Sequence, residues 1–137
     1  MGRLLGIDHG TKRVGLALSD PLKIIAKPFQ TLTYKDFNDL SSQLKSIIIE
    51  NDIEGIVLGF PIGMQGQRTQ QTGKVAEFAE LLKYAVDVPI ALEDERLSSI
   101  SAEKSLILQN VKTGHNKGRI DETAAAIFLQ QYLDRTR

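Results

Sequence analysis

The sequence predicts an α/β protein built on a mixed five-stranded sheet with helices on both faces. Three observations carry that expectation. Residues 4–7 and 14–18 are short apolar runs flanking a polar turn of Gly10, Thr11 and Lys12, which reads as a buried β-hairpin. From about residue 35 onward helical and strand periodicities alternate, the pattern of parallel strands joined by right-handed crossovers. Residues 53–59 are apolar almost throughout, as in a strand covered on both faces.

The hairpin supplies the first two strands. Residues 24–32 form a third, with Pro28 tolerable at a sheet edge, where a missing amide does least harm. Phe37, Leu40, Leu44, Ile47 and Ile48 recur at helical spacing and predict an amphipathic helix over residues 35–50. Residues 53–59 are the fourth strand. Residues 60–73 hold Pro61, Gly63, Gly66 and several Gln, a long polar loop of the kind that carries function in compact domains. Thr72 is a candidate cap for a second helix, whose apolar face is Val75, Phe78, Ala79 and Leu82. Residues 88–92 make the fifth strand and run straight into Glu93, Asp94, Glu95 and Arg96. Ser98 or Ser99 caps a third helix reaching about Leu108; residues 111–119 form a second polar loop and residues 121–133 a final helix. With the fourth and fifth strands parallel to the first, Asp8, the 60–73 loop and the 93–96 cluster share one edge. That edge is the carboxyl ends of the strands, where ligands gather in such sheets.

At 137 residues the chain is expected to form one domain, residues 1–137, around one substantial core. Its 42% hydrophobic and 25% charged shares are those of a soluble globular protein. The absence of cysteine excludes disulfides, thiol nucleophiles and thiolate-ligated zinc. No apolar run approaches the roughly 18 residues of a membrane span, and the N-terminus lacks a signal-peptide apolar stretch, so the expected location is the cytoplasm. A net charge of +0 gives no global attraction to nucleic acid; such binding has to come from local basic patches. His9 and His115 lie far apart without metal-ligand spacing, which argues against zinc. There is no Ser-His-Asp arrangement, phosphate-loop lysine motif or GxGxxG fingerprint.

Three acidic positions compete for chemical roles. Asp8 ends the first strand, and an acid there costs several kcal/mol unless paired or bound to a cation. It either accepts hydrogen bonds from the turn amides, as Asp does beside Gly, or takes its partner from outside: a metal ion, or a phosphate bridged by one. Glu93, Asp94 and Glu95 end the fifth strand. Asp121 and Glu122 open the last helix, where an acid is worth about 0.3–1 kcal/mol against the macrodipole. Asp121 also shares a face with Ala125, Phe128 and Tyr132, an apolar face that favours an inward ligand over a cap. Carboxylates from separate elements suit Mg²⁺ or Mn²⁺. Two such ions about 3.5–4 Å apart activate a water and stabilise the leaving oxygen in phosphodiester cleavage. Lys12, Arg13, Arg96, Lys117 and Arg119 fall beside these acids and suit phosphate. Lys112 reads as a solvated loop charge, and His115 as an exposed histidine or at best a phosphate contact.

Four blocks of the chain resemble the YqgF/RuvX family. They are Asp8-His9-Gly10-Thr11-Lys12-Arg13-Val14-Gly15-Leu16-Ala17, Val57-Leu58-Gly59-Phe60-Pro61, Asp94-Glu95-Arg96-Leu97-Ser98, and Lys117-Gly118-Arg119-Ile120-Asp121 leading into Ala124-Ala125. Each is weak alone; four in family order across the whole chain are specific. The resemblance implies an RNase H-like fold, a bacterial cytoplasmic protein, and a nuclease. The family is described as a Holliday junction resolvase and as a nuclease maturing the 5′ end of pre-16S ribosomal RNA. Its nucleic-acid partners would be structured RNA or branched DNA. Carried over by position, Asp8, the acid of the Asp94-Glu95-Arg96 block, and Asp121 match the family's metal-binding carboxylates. Two departures stand out. Family members usually carry Asn where this chain has Gly63. RNase H-like resolvases as a class place the second carboxylate on the strand beside the first, but here that strand ends Leu58-Gly59-Phe60, without an acid. The fifth strand therefore has to supply it.

Within the fifth-strand cluster, alternation puts Glu93 and Glu95 on one side and Asp94 on the other, with Val88, Ile90 and Leu92. The cation lies at least one strand spacing away, about 4.8 Å, and Glu reaches farther than Asp by a methylene. Glu95, nearer the strand end than Glu93, is the expected ligand, and Asp94 is expected to satisfy amides of the following turn. Two readings from other classes compete. Asp8-His9-Gly10-Thr11 is also similar to the phosphate-gripping turn of actin-like sugar kinases, but those close two such domains over a nucleotide. A non-catalytic nucleic-acid-binding module with vestigial acids is the other, against which the joint presence of Asp8, Glu95 and Asp121 weighs.

Overall fold

The computed structural model describes residues 2–10, 13–60, 70–94 and 117–136. The apolar runs at the N-terminus become β1 (Arg3–His9) and β2 (Arg13–Ser19), followed by β3 (Ala26–Thr33). Then come α1 (Phe37–Glu50), β4 (Ile53–Phe60), α2 (Gln70–Ala85), β5 (Ile90–Asp94) and α3 (Lys117–Thr136). The strands form one mixed sheet in the order β3-β2-β1-β4-β5. β1 pairs antiparallel with β2 and parallel with β4, and β4 pairs parallel with β5. The carboxyl ends of β1, β4 and β5 therefore lie on one edge, as the crossover argument requires. β3 is an outer strand, and Pro28 sits in it beside a register shift, both of which blunt an open edge.

Side chains alternate across the sheet, and each face meets different helices. Leu5 and Ile7 of β1, Val14 and Leu16 of β2, and Ile56 and Leu58 of β4 pack with Leu40 and Leu44 of α1 and Phe78 and Leu82 of α2. Ala17 of β2 and Val57 of β4 pack on the opposite face against Ala125, Phe128, Leu129 and Leu133 of α3. α1 starts at an Asp36 cap whose carboxylate accepts from the Asp39 amide at 2.8 Å. It ends at Asn51, after which Asp52 takes a left-handed φ of 53° and turns the chain into β4. Between β2 and β3 the Asp20 carboxylate accepts from the amides of Leu22, Ile24 and Ile25, and these bonds hold its pKa below the ordinary value. Among the described helices none is long and apolar enough to cross a membrane.

The structure moves several expected boundaries. α2 begins by Gln70, so Thr72 is not its cap but a fully buried residue inside its first turn. Gln costs a helix little, and the chain continues helical upstream of Thr72. α3 begins at Lys117 rather than Asp121, four residues early; Gly118 is its second residue, outside the helix interior where glycine costs most. Lys117 and Arg119 are therefore helical, not in a loop, and Asp121 lies beyond the first turn, where the macrodipole explanation fades. β5 extends through Asp94, so Glu93 and Asp94 are strand residues. The expected helix at residues 98–108 and most of the 60–73 loop lie outside the described residues.

α3 approaches β1 most closely at Gly6. A Cβ built there would stand 3.1 Å from the Ala125 carbonyl oxygen and 3.1 Å from the Leu129 Cβ. A larger side chain has to push the helix off the sheet. Gly6→Val should therefore lower unfolding free energy by about 1–3 kcal/mol, the usual cost of overpacking, measured as a shift in urea midpoint at unchanged slope.

Candidate active site

Asp8 is the penultimate residue of β1, the central strand, and is half-buried at its carboxyl end. It shares a face with Gly6, the face covered by α3. The register shows what stands beside it. Asp8 pairs with Gly15 of β2, and Gly15 pairs with Thr31 of β3. On the other side Ile7 pairs with Leu58, which puts Gly59 next to Asp8, and Gly59 pairs with Glu93 of β5. One row thus crosses the sheet: Thr31, Gly15, Asp8, Gly59, Glu93. Glycine stands on both sides of the acid, so neither neighbouring strand sets a side chain against it in this row. A hard cation needs such room, because it takes several oxygen ligands and keeps waters.

The helix that covers this row is tied to it at both ends. The Thr31 hydroxyl donates to Glu122 Oε2 at 2.8 Å. Gln130 accepts from the Ala26 amide and donates to the Ile24 carbonyl oxygen, both at 2.8 Å. Rising numbers on α3 meet falling numbers on β3, so α3 runs antiparallel to β3, and β3 runs with β1. The N-terminal turns of α3, which carry Lys117, Arg119 and Asp121, are thereby placed at the carboxyl edge of β1. The side chains of those three residues are outside the described set, as are Lys12, Glu95, Arg96, Lys112 and His115 altogether. Arg13 opens β2 and is half-buried. The hairpin closes through the Gly10 amide donating to the Arg13 carbonyl at 2.8 Å. A Cβ on Gly10 would be 2.8 Å from that same oxygen, so only glycine fits this closure beside Asp8.

Glu93 has a role the sequence did not assign. It is only 4% exposed, accepts from Gln131 Nε2 at 2.8 Å, and forms an ion pair with Arg135. Gln131 also donates to the Asp94 carbonyl oxygen at 3.2 Å. These bonds fasten the end of β5 to α3. Two strand spacings, about 10 Å, separate Glu93 from Asp8, and its carboxylate is already engaged by Gln131 and Arg135. The expected alternation holds here: Glu93 faces α3, whereas Ile90 packs on the α1–α2 side. Among the described residues no three His, Asp or Glu side chains gather closely enough to hold a metal.

His9, next along β1, faces the opposite side. Its ring stacks on Phe78 with centroids 4.3 Å apart and planes 22° apart. Burial pushes the imidazole pKa below its ordinary value, which favours the uncharged ring.

Residues 2–135 match the family model described as RuvX, Holliday junction resolvase. The chain is 41% identical over 132 residues to a protein of Dictyoglomus thermophilum that carries the name pre-16S rRNA nuclease, covering 96% of this chain and 95% of that one. A protein of Desulforamulus reducens with the same name is 42% identical over 132 residues, covering 96% of each chain. Among solved structures, T. thermophilus RuvC in complex with Holliday junction substrate superposes with a TM-score of 0.61 at 13% identity, covering 99% of this chain and 96% of that one. The yeast mitochondrial Holliday junction resolvase Ydc2 gives 0.56 at 15% identity, covering 96% and 78%. These likenesses establish the fold as RNase H-like.

The Glu93–Arg135 pair is lopsided, with Glu93 4% and Arg135 58% exposed. Removing the arginine strands a buried carboxylate, while removing the acid leaves a cation that water can reach. Arg135→Ala should cost about 2 kcal/mol and Glu93→Gln about 1 kcal/mol or less. Chemical denaturation of both variants checks the order.

Proposed function

This chain belongs to the RuvX family, and from that premise we propose that it is a cytoplasmic nuclease dependent on a divalent metal. It would act as one domain over residues 1–137, hydrolysing phosphodiester bonds in the maturation of the 5′ end of 16S ribosomal RNA. The observation that carries the reading is Asp8, an acid at the carboxyl end of the central strand with glycine on either side of it. The relatives named pre-16S rRNA nuclease support the RNA substrate. The family description and the fold shared with junction resolvases support a second reading, cleavage of four-way DNA.

Asp8, Glu95 and Asp121 would hold Mg²⁺ or Mn²⁺, since carboxylate oxygens suit these hard ions and the glycine-flanked row leaves room for them. When bound, such ions supply an activated water and stabilise the leaving oxygen. The rest falls to the chain's own cations. Lys12 and Arg13 at the hairpin, Arg96 after β5, and Lys117 and Arg119 at the start of α3 would grip phosphates on either side of the bond to be cut. A chain of net charge +0 can bind a polyanion only through such a local cluster.

The protein with Mg²⁺ or Mn²⁺ should cut RNA bearing a 16S 5′ leader; a four-way DNA junction cut in preference would favour the second reading. Asp8→Asn keeps the shape and removes the charge, so folding should survive while cleavage falls by orders of magnitude. Unchanged cleavage would refute the assignment. Glu95→Gln should abolish metal-dependent activity with little loss of stability, whereas Asp94→Asn should cost stability first; the reverse pattern would move the ligand by one residue.

Binding should weaken steeply with salt. Alanine at both Lys12 and Arg13 should lower the slope of log affinity against log salt by about 1.4–1.8, roughly 0.7–0.9 per lost phosphate contact. An unchanged slope would show that the substrate does not cross the hairpin turn.

A further inference from the structure

On the face opposite Asp8, a cavity of about 160 Å³ opens beside the end of β1 and the first turns of α2. His9, Tyr34, Phe37 and Phe78 line it, with Lys74 and Glu77 of α2 at its rim. We propose that this cavity receives one unpaired nucleobase of the substrate, from a nucleotide adjoining the phosphate held at Asp8. The proposal deepens the nuclease reading and rests on it.

Position is the first argument. Asp8 and His9 are consecutive, with Cα atoms about 3.8 Å apart and side chains on opposite faces of the sheet. A strand lying across the carboxyl edge of β1 meets the acid on one side and the cavity on the other. Composition is the second. The wall is an aromatic cluster centred on the buried Phe78, with His9 stacked on it at 4.3 Å and Phe37 edge-on at 6.0 Å and 71°, so the half-buried rings of His9, Tyr34 and Phe37 are the ones left to meet a base. Every base has a π-face, and aromatic platforms hold single strands with little regard to sequence.

Size and charge narrow the ligand further. The volume of 160 Å³ falls well below the roughly 300–1,000 Å³ of sites for drug-sized molecules, so the cavity has room for one ring system. Lys74 is exposed and can meet the phosphate of the same nucleotide. Glu77, three residues on, has acceptor oxygens for an exocyclic amino group. Bases inside a duplex are stacked on one another, so only a single-stranded or splayed nucleotide can enter.

The test uses Asp8→Asn protein, which should bind without cutting, and single-stranded oligoribonucleotides carrying one 2-aminopurine or one abasic residue at successive positions. One position should show fluorescence quenching on binding, and an abasic residue there should weaken affinity about tenfold. Tyr34→Leu should erase that discrimination. Lys74→Ala, on the surface, should weaken binding severalfold with the circular dichroism spectrum unchanged. Equal affinity for abasic and intact strands at every position, with binding intact, would overturn the base site and leave the nuclease reading standing. No binding by any strand, together with no cleavage by the wild-type protein, would overturn both.

Discussion

The close approach of α3 to β1 at Gly6 is the constraint on which the rest of the molecule depends. With no Cβ at position 6, the helix settles against the central strand at the Ala125 carbonyl and Leu129. That contact, with Glu122 on Thr31 and Gln130 on β3, fixes the helix along its length. A helix so fixed carries its N-terminal turns to the edge where β1, β4 and β5 end. The apolar face of α3 and the placement of its charged first turns are one packing decision.

The two faces of the sheet divide the work. The α1–α2 face buries most of the large aliphatic side chains and supplies the main core. The α3 face sets Phe128, Leu129 and Leu133 of the helix, with Ala125 and Ala126, against small residues of the sheet, Ala17 and the glycines of the row through Asp8. Small residues let backbone and helix come close, and the same smallness leaves Asp8 with glycine on either side. Burial of an acid is costly in an apolar core, but here it occurs at a strand end, at the rim of the packed layer. Glu93, deeper in the same row, is instead satisfied in full view of α3 by Gln131 and Arg135.

Asp8 and His9 show how one strand end can present two chemistries. Alternation sends the carboxylate toward α3 and the imidazole into the aromatic cluster with Phe78. The acid side has a hard oxygen donor with a glycine on the strand to either side. The histidine side has aromatic rings around a small cavity that opens at the surface. Nucleic acid offers a matching pair of features, charged phosphate and flat base, alternating along one strand.

Among the described residues, the sequence by itself determined the elements and their order. The hairpin, the edge position of Pro28, the helix through Leu40 and Leu44, and the parallel β4 and β5 all follow from short-range periodicity and turn chemistry. Alternation in β5 was legible too, and with it the separation of Glu93 from Asp94. Tertiary structure decided what local rules cannot reach. Thr72 looked like a cap and is buried in α2, because packing outweighs a capping preference. Residues 117–119 read as the end of a polar loop and open α3 instead, with Gly118 as its second residue. The row of Thr31, Gly15, Asp8, Gly59 and Glu93, and the clamp of Glu93 by residues some 40 positions away, depend on strand register. Register and helix docking are set by contacts between segments remote in sequence, and these exist only once the chain has closed on itself.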